Sequence, residues 1–247
     1  MIRVLMIDDE QVVLDVTKMY LEHFGHISVD CVLSANLGIE KLMSEHYDAI
    51  ICDYDMDEID GISFLKAIRG IYPGVNLPCP DIPFIIFTGK GDECVVIEAL
   101  NSGADYYLQK GNDPKGQLLE LCHKIEDIVQ RRCTEEIVSA AFENTGTCMV
   151  LVDKKGIIVR ANNQMGKIYD CQVESINGLK HWESFVFKED HGKIHEFLEK
   201  ICESAKRTKS DCEFKFVSNN DSVYPARMNA SYIPGKKICV MSIDVSD

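Results

Sequence analysis

The sequence predicts two domains: an α/β domain with a five-stranded, doubly wound parallel sheet, then an α+β domain with an antiparallel sheet. In the first half, five almost continuously apolar strand-like runs alternate with amphipathic helical segments. This alternation is typical of a parallel sheet that helices cover on both faces. In the second half, strand-like, helical and again strand-like segments follow one another, which indicates an antiparallel sheet with helices on one face.

The elements of the first half follow from apolar periodicity. Gly25 is expected to end the first helix. The buried stripe of that helix is expected to consist of Val12, Val13, Val16, Met19, Tyr20 and Phe24. The predicted strands are Val4–Ile7, Ser28–Leu33, Ala49–Cys52, Phe84–Phe87 and Asp105–Leu108. The later predicted helices are Leu37–Glu45, Ile62–Arg69, Cys94–Asn101 and a segment that begins near Leu118.

A long helical pattern connects the two halves. From Leu118 the apolar spacing continues past Ala140, and neither Gly nor Pro occurs before Gly146. We expect one continuous connecting helix, which could pair with a partner helix; the alternative is a break near Arg131–Arg132. The predicted boundaries are residues 1–125 for the first domain, 126–141 for the connecting helix and 142–247 for the second domain.

The second half opens with a hairpin pattern. Thr147–Val152 and Ile157–Arg160 flank the turn Asp153–Gly156, in which Gly156 is expected to adopt a left-handed conformation. Short helices are expected between residues 163 and 206. The closing strands are predicted at Asp211–Ser218, Ser222–Ile233 and Lys237–Asp244.

Composition excludes several classes of function. The 247 residues carry a net charge of -14, and residues 1–133 contribute 23 acidic against 11 basic side chains, a balance of -12. Such a chain lacks the basic face that nucleic acid requires. It also lacks a run of about 20 apolar residues and a secretory leader, so a cytoplasmic protein without a membrane span is expected. The 11 cysteines show no metal-ligand spacing, so buried, reduced thiols are expected rather than zinc or disulfides.

Charged and polar residues follow the predicted parallel strands. Asp8 and Asp9 follow the first strand, Asp53 the third, Thr88 ends the fourth, and Lys110 follows the fifth. Because the carboxyl ends of parallel strands share one edge of the sheet, these side chains should meet there. Three carboxylates would repel unless a cation lies among them, and oxygen ligands favour Mg2+.

The residues expected at this edge predict a site for phosphoryl transfer. Asp53 is a candidate nucleophile, and a metal ion would neutralise the oxygens of an incoming phosphoryl group. Lys110 would supply a positive charge, Thr88 a hydroxyl donor, and Gly89 a closely approaching backbone N–H.

Residues 1 to about 125 closely resemble the receiver domain of two-component response regulators, a flavodoxin-like fold. The matching stretches are "IDDE", "IICDYDMDEIDGISFLKAIR", "PFIIFTGKG" and "ALNSGADYYLQKG". The resemblance implies that Asp53 is the phosphoacceptor and that Asp8, Asp9 and Asp53 bind the metal with the backbone carbonyl of Asp55. It also implies that Thr88 and Tyr107 are switch residues and that Lys110 pairs with the phosphoryl group.

The chain departs from the receiver pattern at two positions. Asp57 stands where the family often has proline, and Gly111 replaces the proline that usually follows the lysine. The second change should loosen that loop, because glycine leaves φ free. We also predict that Asp55 and Lys90 pair beside Asp53 and slow hydrolysis of its phosphate; two solvated charges are the alternative.

Residues 142–247 resemble a PAS sensor domain. The supporting stretches are "FENTGTCMVLVDKKGIIVRANNQMGKIYD", "INGL" and "YIPGKKICVMSIDVSD". The resemblance implies that Asn162 caps a helix, that Gly178 precedes the middle segment, and that Asp244 opens the closing signature. PAS domains bind haem, flavin, metabolites or another protein, and the ligand here is unknown. His181, His191 and His195 are candidate haem ligands, but surface positions on a charged helix are favoured.

The resemblances imply a response regulator rather than a conventional enzyme. A sensor histidine kinase would phosphorylate Asp53 with Mg2+, and the receiver would catalyse only its own phosphotransfer and dephosphorylation. The signal would pass through the connecting helix to the PAS domain, and a homodimer could form through the receiver face or that helix. The alternatives are an N-terminal fragment of a larger hybrid sensor kinase and a magnesium-dependent phosphatase or phosphotransferase that uses Asp53 and Asp55.

Overall fold

The structure, a computed structural model, describes residues 1–71, 81–89, 91–111, 113–203 and 210–246. It divides into two compact units, Met1–Glu135 and Glu136–Asp247. Within these described residues, no helix is both long enough and apolar enough to cross a lipid bilayer.

The first unit contains the predicted five-stranded parallel sheet, with the strand order β2-β1-β3-β4-β5. Its strands are β1 (Ile2–Ile7), β2 (Ile27–Val32), β3 (Ala49–Cys52), β4 (Phe84–Thr88) and β5 (Tyr106–Gln109). Its helices are α1 (Gln11–His23), α2 (Ala35–Ser44), α3 (Gly61–Ile68), α4 (Glu93–Asn101) and α5 (Pro114–Glu143). The α/β fold class predicted for this half is confirmed.

The central strands are apolar throughout because both faces of the sheet are buried. In β1, Leu5 and Ile7 pack into one hydrophobic cluster, whereas Val4 and Met6 pack into a second cluster on the other face. Successive side chains of a strand point to opposite faces, so each face needs its own apolar set.

The predicted buried stripe of α1 is wrong in part. Val12 and Met19 are 72% and 70% exposed, whereas Leu14 and Leu21 face the core together with Thr17. The helix carries apolar residues on more than one face, so periodicity alone could not identify the buried one. The predicted end is confirmed, because α1 stops at His23 and Gly25 has a left-handed φ of 76°.

Helix α5 runs without interruption from Pro114 to Glu143. The predicted continuity is confirmed, and the alternative break near Arg131–Arg132 is wrong. Residues of its first part, including Leu121 and Ile125, are buried in the first unit. The residue boundaries predicted for the connecting helix stay a prediction.

The second unit is an α+β fold with an antiparallel sheet in the order β7-β6-β10-β9-β8. Its strands are β6 (Cys148–Asp153), β7 (Ile158–Ala161), β8 (Ser210–Val217), β9 (Val223–Ile233) and β10 (Ile238–Val245). Its α-helices are α6 (Asn163–Tyr169) and α7 (His191–Glu203), and short 3-10 turns lie between them. The predicted hairpin joins β6 and β7, and Gly156 has the expected positive φ of 83°.

Asn162 is fully buried and connects three parts of the second unit. Its Oδ1 accepts hydrogen bonds from the backbone N–H of Met149 in β6 and of Met165 in α6. Its Nδ2 donates to the backbone carbonyls of Phe142, near the end of α5, and Thr147. The predicted helix cap is therefore confirmed, and the same amide also ties the end of α5 to the sheet of this unit.

We expect Asn162→Ala to lower the free energy of unfolding of the second unit by about 2–3 kcal/mol, because buried backbone groups lose their partners. Urea denaturation of the full chain, followed by the fluorescence of Trp182, measures this loss. The exposed neighbour Asn163→Ala is the matched control and should change stability by less than about 1 kcal/mol. Equal effects of the two substitutions would contradict the role given to Asn162.

Candidate functional site

The carboxyl edge of the parallel sheet brings distant parts of the chain together through backbone hydrogen bonds. The N–H of Asp53 donates to the carbonyl of Ile7 across 2.9 Å, which sets the end of β3 beside the end of β1. The N–H of Lys110 donates to the carbonyl of Thr88 across 2.7 Å, which sets the end of β5 beside the end of β4. The parallel pairing therefore fixes the side chains at this edge.

Lys110 bridges two buried carboxylates at this edge. Its Nζ lies 2.7 Å from Oδ2 of Asp8 and 2.6 Å from Oδ1 of Asp53. Asp8 is 1% exposed and Asp53 is 5% exposed. These three side chains therefore meet at one edge of the sheet, as the sequence predicted.

The remaining carboxylate oxygens accept hydrogen bonds from nearby backbone groups. Oδ1 of Asp8 accepts from the N–H of Glu10 at 2.9 Å, and Oδ2 of Asp53 accepts from the N–H of Asp55 at 2.5 Å. These bonds orient both carboxylates without adding positive charge.

The pKa shifts of Asp8 and Lys110 follow from their burial and from the contacts between them. Burial raises the pKa of Asp8, and the opposing hydrogen bonds from Lys110 and the N–H of Glu10 do not cancel that effect. Burial acts to lower the pKa of Lys110, but its bonds to Asp53 and Asp8 outweigh burial and raise it. Lys110 is therefore held as a cation, yet one positive charge cannot neutralise two buried carboxylates.

The donor set at this edge fits a hard divalent cation. Asp8, Asp9 and Asp53 together with Lys110 carry a formal charge of about -2 when all are ionised. Asp9 is exposed next to Asp8, so it could join the buried pair in holding an ion. All of these donors are oxygens, and oxygen donors are what Mg2+ prefers.

The distances between the three carboxylates do not test the predicted metal site. Among the described residues, Asp8, Asp9 and Asp53 are not a group of three whose ligand atoms all lie within 4.8 Å of one another. The ammonium group of Lys110 contacts both Asp8 and Asp53 in the space where their carboxylates face each other. The expectation that the three carboxylates surround one cation therefore stays a prediction.

The other predicted site residues lie on the elements that form this edge. Thr88 ends β4, is 1% exposed and is paired in register with Gln109 of β5. Tyr107 is a half-buried residue of β5, and burial, with a smaller contribution from the charge of Asp53, raises the pKa of its phenol. Gly89 and Asp55 are exposed at the ends of β4 and β3. The predicted pair between Asp55 and Lys90 cannot be placed, because Lys90 lies outside the described residues.

Gly61, which the sequence analysis did not select, restricts the loop that follows Asp53. Its N–H donates to the carbonyl of Tyr54, and a Cβ atom at this position would lie 2.2 Å from the backbone oxygen of Asp53. Such a contact is impossible without a backbone shift. The stretch "DGIS" carried the only sequence signal, a glycine directly after the helix cap Asp60.

In the second unit, the three candidate haem ligands have local partners. His181 contacts the carbonyl of Lys155, His191 contacts the carbonyl of Val186, and His195 lies 3.2 Å from a carboxylate oxygen of Glu199. A cleft of about 500 Å³ is lined in part by His181, Trp182, His195, Tyr232, Cys239 and Met241. Haem or another PAS ligand stays a prediction.

We expect Gly61→Ala to lower the free energy of unfolding by about 1–3 kcal/mol, because the new methyl group overlaps the backbone at Asp53. The matched control is Gly192→Ala in α7, where nothing lies within 4 Å of the added Cβ and where stability should rise by up to about 1 kcal/mol. Urea denaturation of both variants measures the difference. Unchanged stability in Gly61→Ala would contradict the close approach.

Comparison of the wild type with Asp8→Asn at different pH values tests the raised pKa of Asp8. An aspartate with a raised pKa binds its proton more tightly in the folded than in the unfolded protein, where the value is near 3.8. Stability of the wild type should therefore fall as pH rises from about 4 through the folded pKa, relative to Asp8→Asn. Urea denaturation of both proteins at several pH values, without divalent metal, measures the difference in their free energies of unfolding. Added Mg2+ should reduce the loss of stability of the wild type at the higher pH values.

The exposed Asp57 supplies the control, because Asp57→Asn also removes one charge but leaves the buried pair intact. A wild type that gains stability relative to Asp8→Asn as pH rises above about 4 would contradict the raised pKa of Asp8.

Each half of the chain is similar to a known domain family. Residues 4–123 match the response regulator receiver domain, and residues 146–247 match the PAS domain. The solved receiver domain of the Francisella response regulator 1452 is 26% identical, with a TM-score of 0.46, and covers 53% of this chain and 99% of that one. The PAS domain of an HTR-like protein from Haloarcula marismortui is 13% identical, with a TM-score of 0.43, covering 49% and 98%.

Curated relatives match a little over half of the chain. The response regulator SaeR of Staphylococcus epidermidis is 33% identical over 145 residues, which are 58% of this chain and 58% of the relative. SaeR of Staphylococcus aureus is 32% identical over 131 residues, 53% of this chain and 52% of the relative. The chain thus spans a little over half the length of these relatives. Residues 4–123 are thus similar to response regulator receiver domains, and residues 146–247 are similar to PAS domains.

Proposed function

We propose that this protein is a phosphoacceptor of a two-component phosphorelay, in which a sensor histidine kinase transfers a phosphoryl group to Asp53. The observation that carries the proposal is the bridge from Lys110 to the buried carboxylates of Asp8 and Asp53. A buried nucleophilic carboxylate with a lysine at hydrogen-bond distance is suited to receive an anionic phosphoryl group.

In the transfer, an oxygen of Asp53 attacks phosphorus and the bond from phosphorus to the donor nitrogen breaks. The bonding electron pair stays on the donor's imidazole nitrogen. Lys110 then shifts its hydrogen bond from Asp53 to a phosphoryl oxygen, while the N–H of Asp55 continues to orient the carboxylate. The hydroxyl of Thr88 and the backbone N–H of Gly89 serve as further donors to phosphoryl oxygens.

Mg2+ completes this site in the proposal. Asp8, Asp9, Asp53 and the backbone carbonyl of Asp55 would hold the ion, which supplies charge neutralisation for the carboxylates and the phosphoryl oxygens. One ammonium group between two buried carboxylates leaves negative charge uncompensated, which supports a divalent cation here.

An exposed apolar patch supports a protein as the phosphoryl donor. Val12, Val16 and Met19 are 72%, 46% and 70% exposed, and their spacing in α1 places them on one side of the helix. Helix α1 begins at Gln11, two residues after Asp9, so this patch starts close to the site in the chain. Exposed apolar side chains of this kind are suited to binding another protein.

The response to phosphorylation is assigned to Thr88 and Tyr107. Both are on strands that meet at this edge, and the charge of Asp53 already acts on the phenol of Tyr107. Movement of these side chains would alter the face formed by α4, β5 and α5. Because α5 continues to Glu143, where Asn162 binds the carbonyl of Phe142, the same helix could transmit the change to the PAS domain or to a second copy of the chain.

Intact-mass measurement after incubation with acetyl phosphate tests the proposal. We expect the wild type to gain the mass of one phosphoryl group with Mg2+, and to gain none when a chelator removes the metal. Asp53→Asn should stay unmodified, while the exposed control Asp57→Asn should be modified like the wild type.

An unmodified wild type in the presence of Mg2+, or a modified Asp53→Asn, would contradict the proposal. Continued turnover of a simple phosphate ester would instead favour the phosphatase or phosphotransferase alternative, in which Asp55 acts as the acid–base group. The cytoplasmic location and the alternative of a larger hybrid kinase stay predictions from the sequence.

A further inference from the structure

A second cluster of chemically reactive side chains lies at the opposite edge of the parallel sheet. Among the described residues, His26, Cys122 and Glu126 form a group whose ligand atoms all lie within 4.8 Å of one another. His26 directly precedes β2, and its carbonyl accepts a hydrogen bond from the N–H of Ile2 at the start of β1. The cluster is therefore at the amino ends of the strands, roughly 20 Å along β1 from the Asp53 site.

The orientation of His26 suits a metal ligand. Its Nδ1 lies 3.1 Å from the backbone carbonyl of Phe24, and a carbonyl can only accept, so Nδ1 carries a proton. Its Nε2 contacts Oε1 of Glu126. A histidine that donates one ring N–H to a carbonyl and directs the other nitrogen at a carboxylate has the arrangement found around protein-bound metals.

The two helical residues of the cluster share one side of α5. Cys122 and Glu126 are four residues apart, so their side chains lie one turn from each other. The Sγ of Cys122 is 3.8 Å from Oε1 of Glu126, close to the separation of about 3.5 Å between ligand atoms that zinc bond lengths give in a tetrahedral site. Cys122 is buried, whereas the His26 side chain is 46% exposed and leaves a path for an ion from solvent.

We propose that His26, Cys122 and Glu126 form a Zn2+ site, with water as the fourth ligand. Sulfur and nitrogen donors together with one carboxylate favour zinc over Mg2+ or Ca2+. A thiolate and a carboxylate would neutralise the two charges of the ion. On binding, the thiol proton of Cys122 leaves to solvent, as does any proton on Nε2 of His26.

Without a metal, the same contacts form an ion pair between protonated His26 and Glu126 beside a buried thiol. In that case removal of His26 affects only the local ion pair, and the protein has no specific affinity for zinc at this position. The two readings therefore differ in stoichiometry, in the spectrum of a bound substitute ion and in the residues on which binding depends.

Titration of the reduced, chelator-treated full chain with Zn2+ against a chromophoric chelator tests the proposal. We expect one equivalent per chain to bind with an affinity that falls at least tenfold in His26→Ala and in Glu126→Gln. Titration with Co2+ should give a thiolate-to-cobalt charge-transfer band that disappears in Cys122→Ser. His26→Ala removes an exposed side chain, so it tests the site even if substitution of the buried Cys122 affects folding.

Cys133→Ser and His123→Ala are the matched controls, because both residues are exposed on the same helix and outside the cluster. Both variants should bind zinc like the wild type. The proposal is overturned if the wild type binds no zinc, or if binding is unchanged in both His26→Ala and Glu126→Gln.

Discussion

The first unit is organised around the placement of two buried carboxylates and one ammonium group at the carboxyl edge of a parallel sheet. Asp8 and Asp53 are separated by 45 positions in the chain, yet both contact Nζ of Lys110. Burying like charges costs free energy that a cation must offset. Lys110 offsets part of that cost, and one ammonium group leaves part of the negative charge of the two carboxylates uncompensated.

The sheet can support this charged edge because the rest of it is apolar. Each face of β1 and β3 packs into its own hydrophobic cluster, so the strands are held rigidly on both sides. Gly61 allows α3 to start against the backbone of Asp53, which restricts the loop that carries the nucleophile. Apolar packing thus fixes the backbone, and the backbone positions carboxylates that would otherwise separate.

The two edges of the same sheet offer chemically different environments. The carboxyl edge presents oxygen donors and suits a hard ion, whereas the proposed zinc site at the amino edge combines sulfur, nitrogen and oxygen. Helix α5 contributes Cys122 and Glu126 to the amino edge and continues to Glu143. Near that end, the side chain of Asn162 donates a hydrogen bond to the carbonyl of Phe142. One helix therefore contributes side chains to the core of the first unit and a backbone carbonyl to the hydrogen bonds of Asn162 in the second.

The sequence by itself determined the order of elements, because apolar runs and helical spacing are local properties of the chain. It also placed Asp8, Asp53 and Lys110 at one edge, since parallel strands end on the same side of a sheet. It could not identify the buried face of α1, because the helix carries apolar residues on more than one face and only Leu14 and Leu21 among them are fully buried. Only the tertiary structure decided which groups touch. The contact between Lys110 and both carboxylates, the clearance at Gly61, and the meeting of His26 with α5 depend on packing between segments far apart in the chain, which no local spacing encodes.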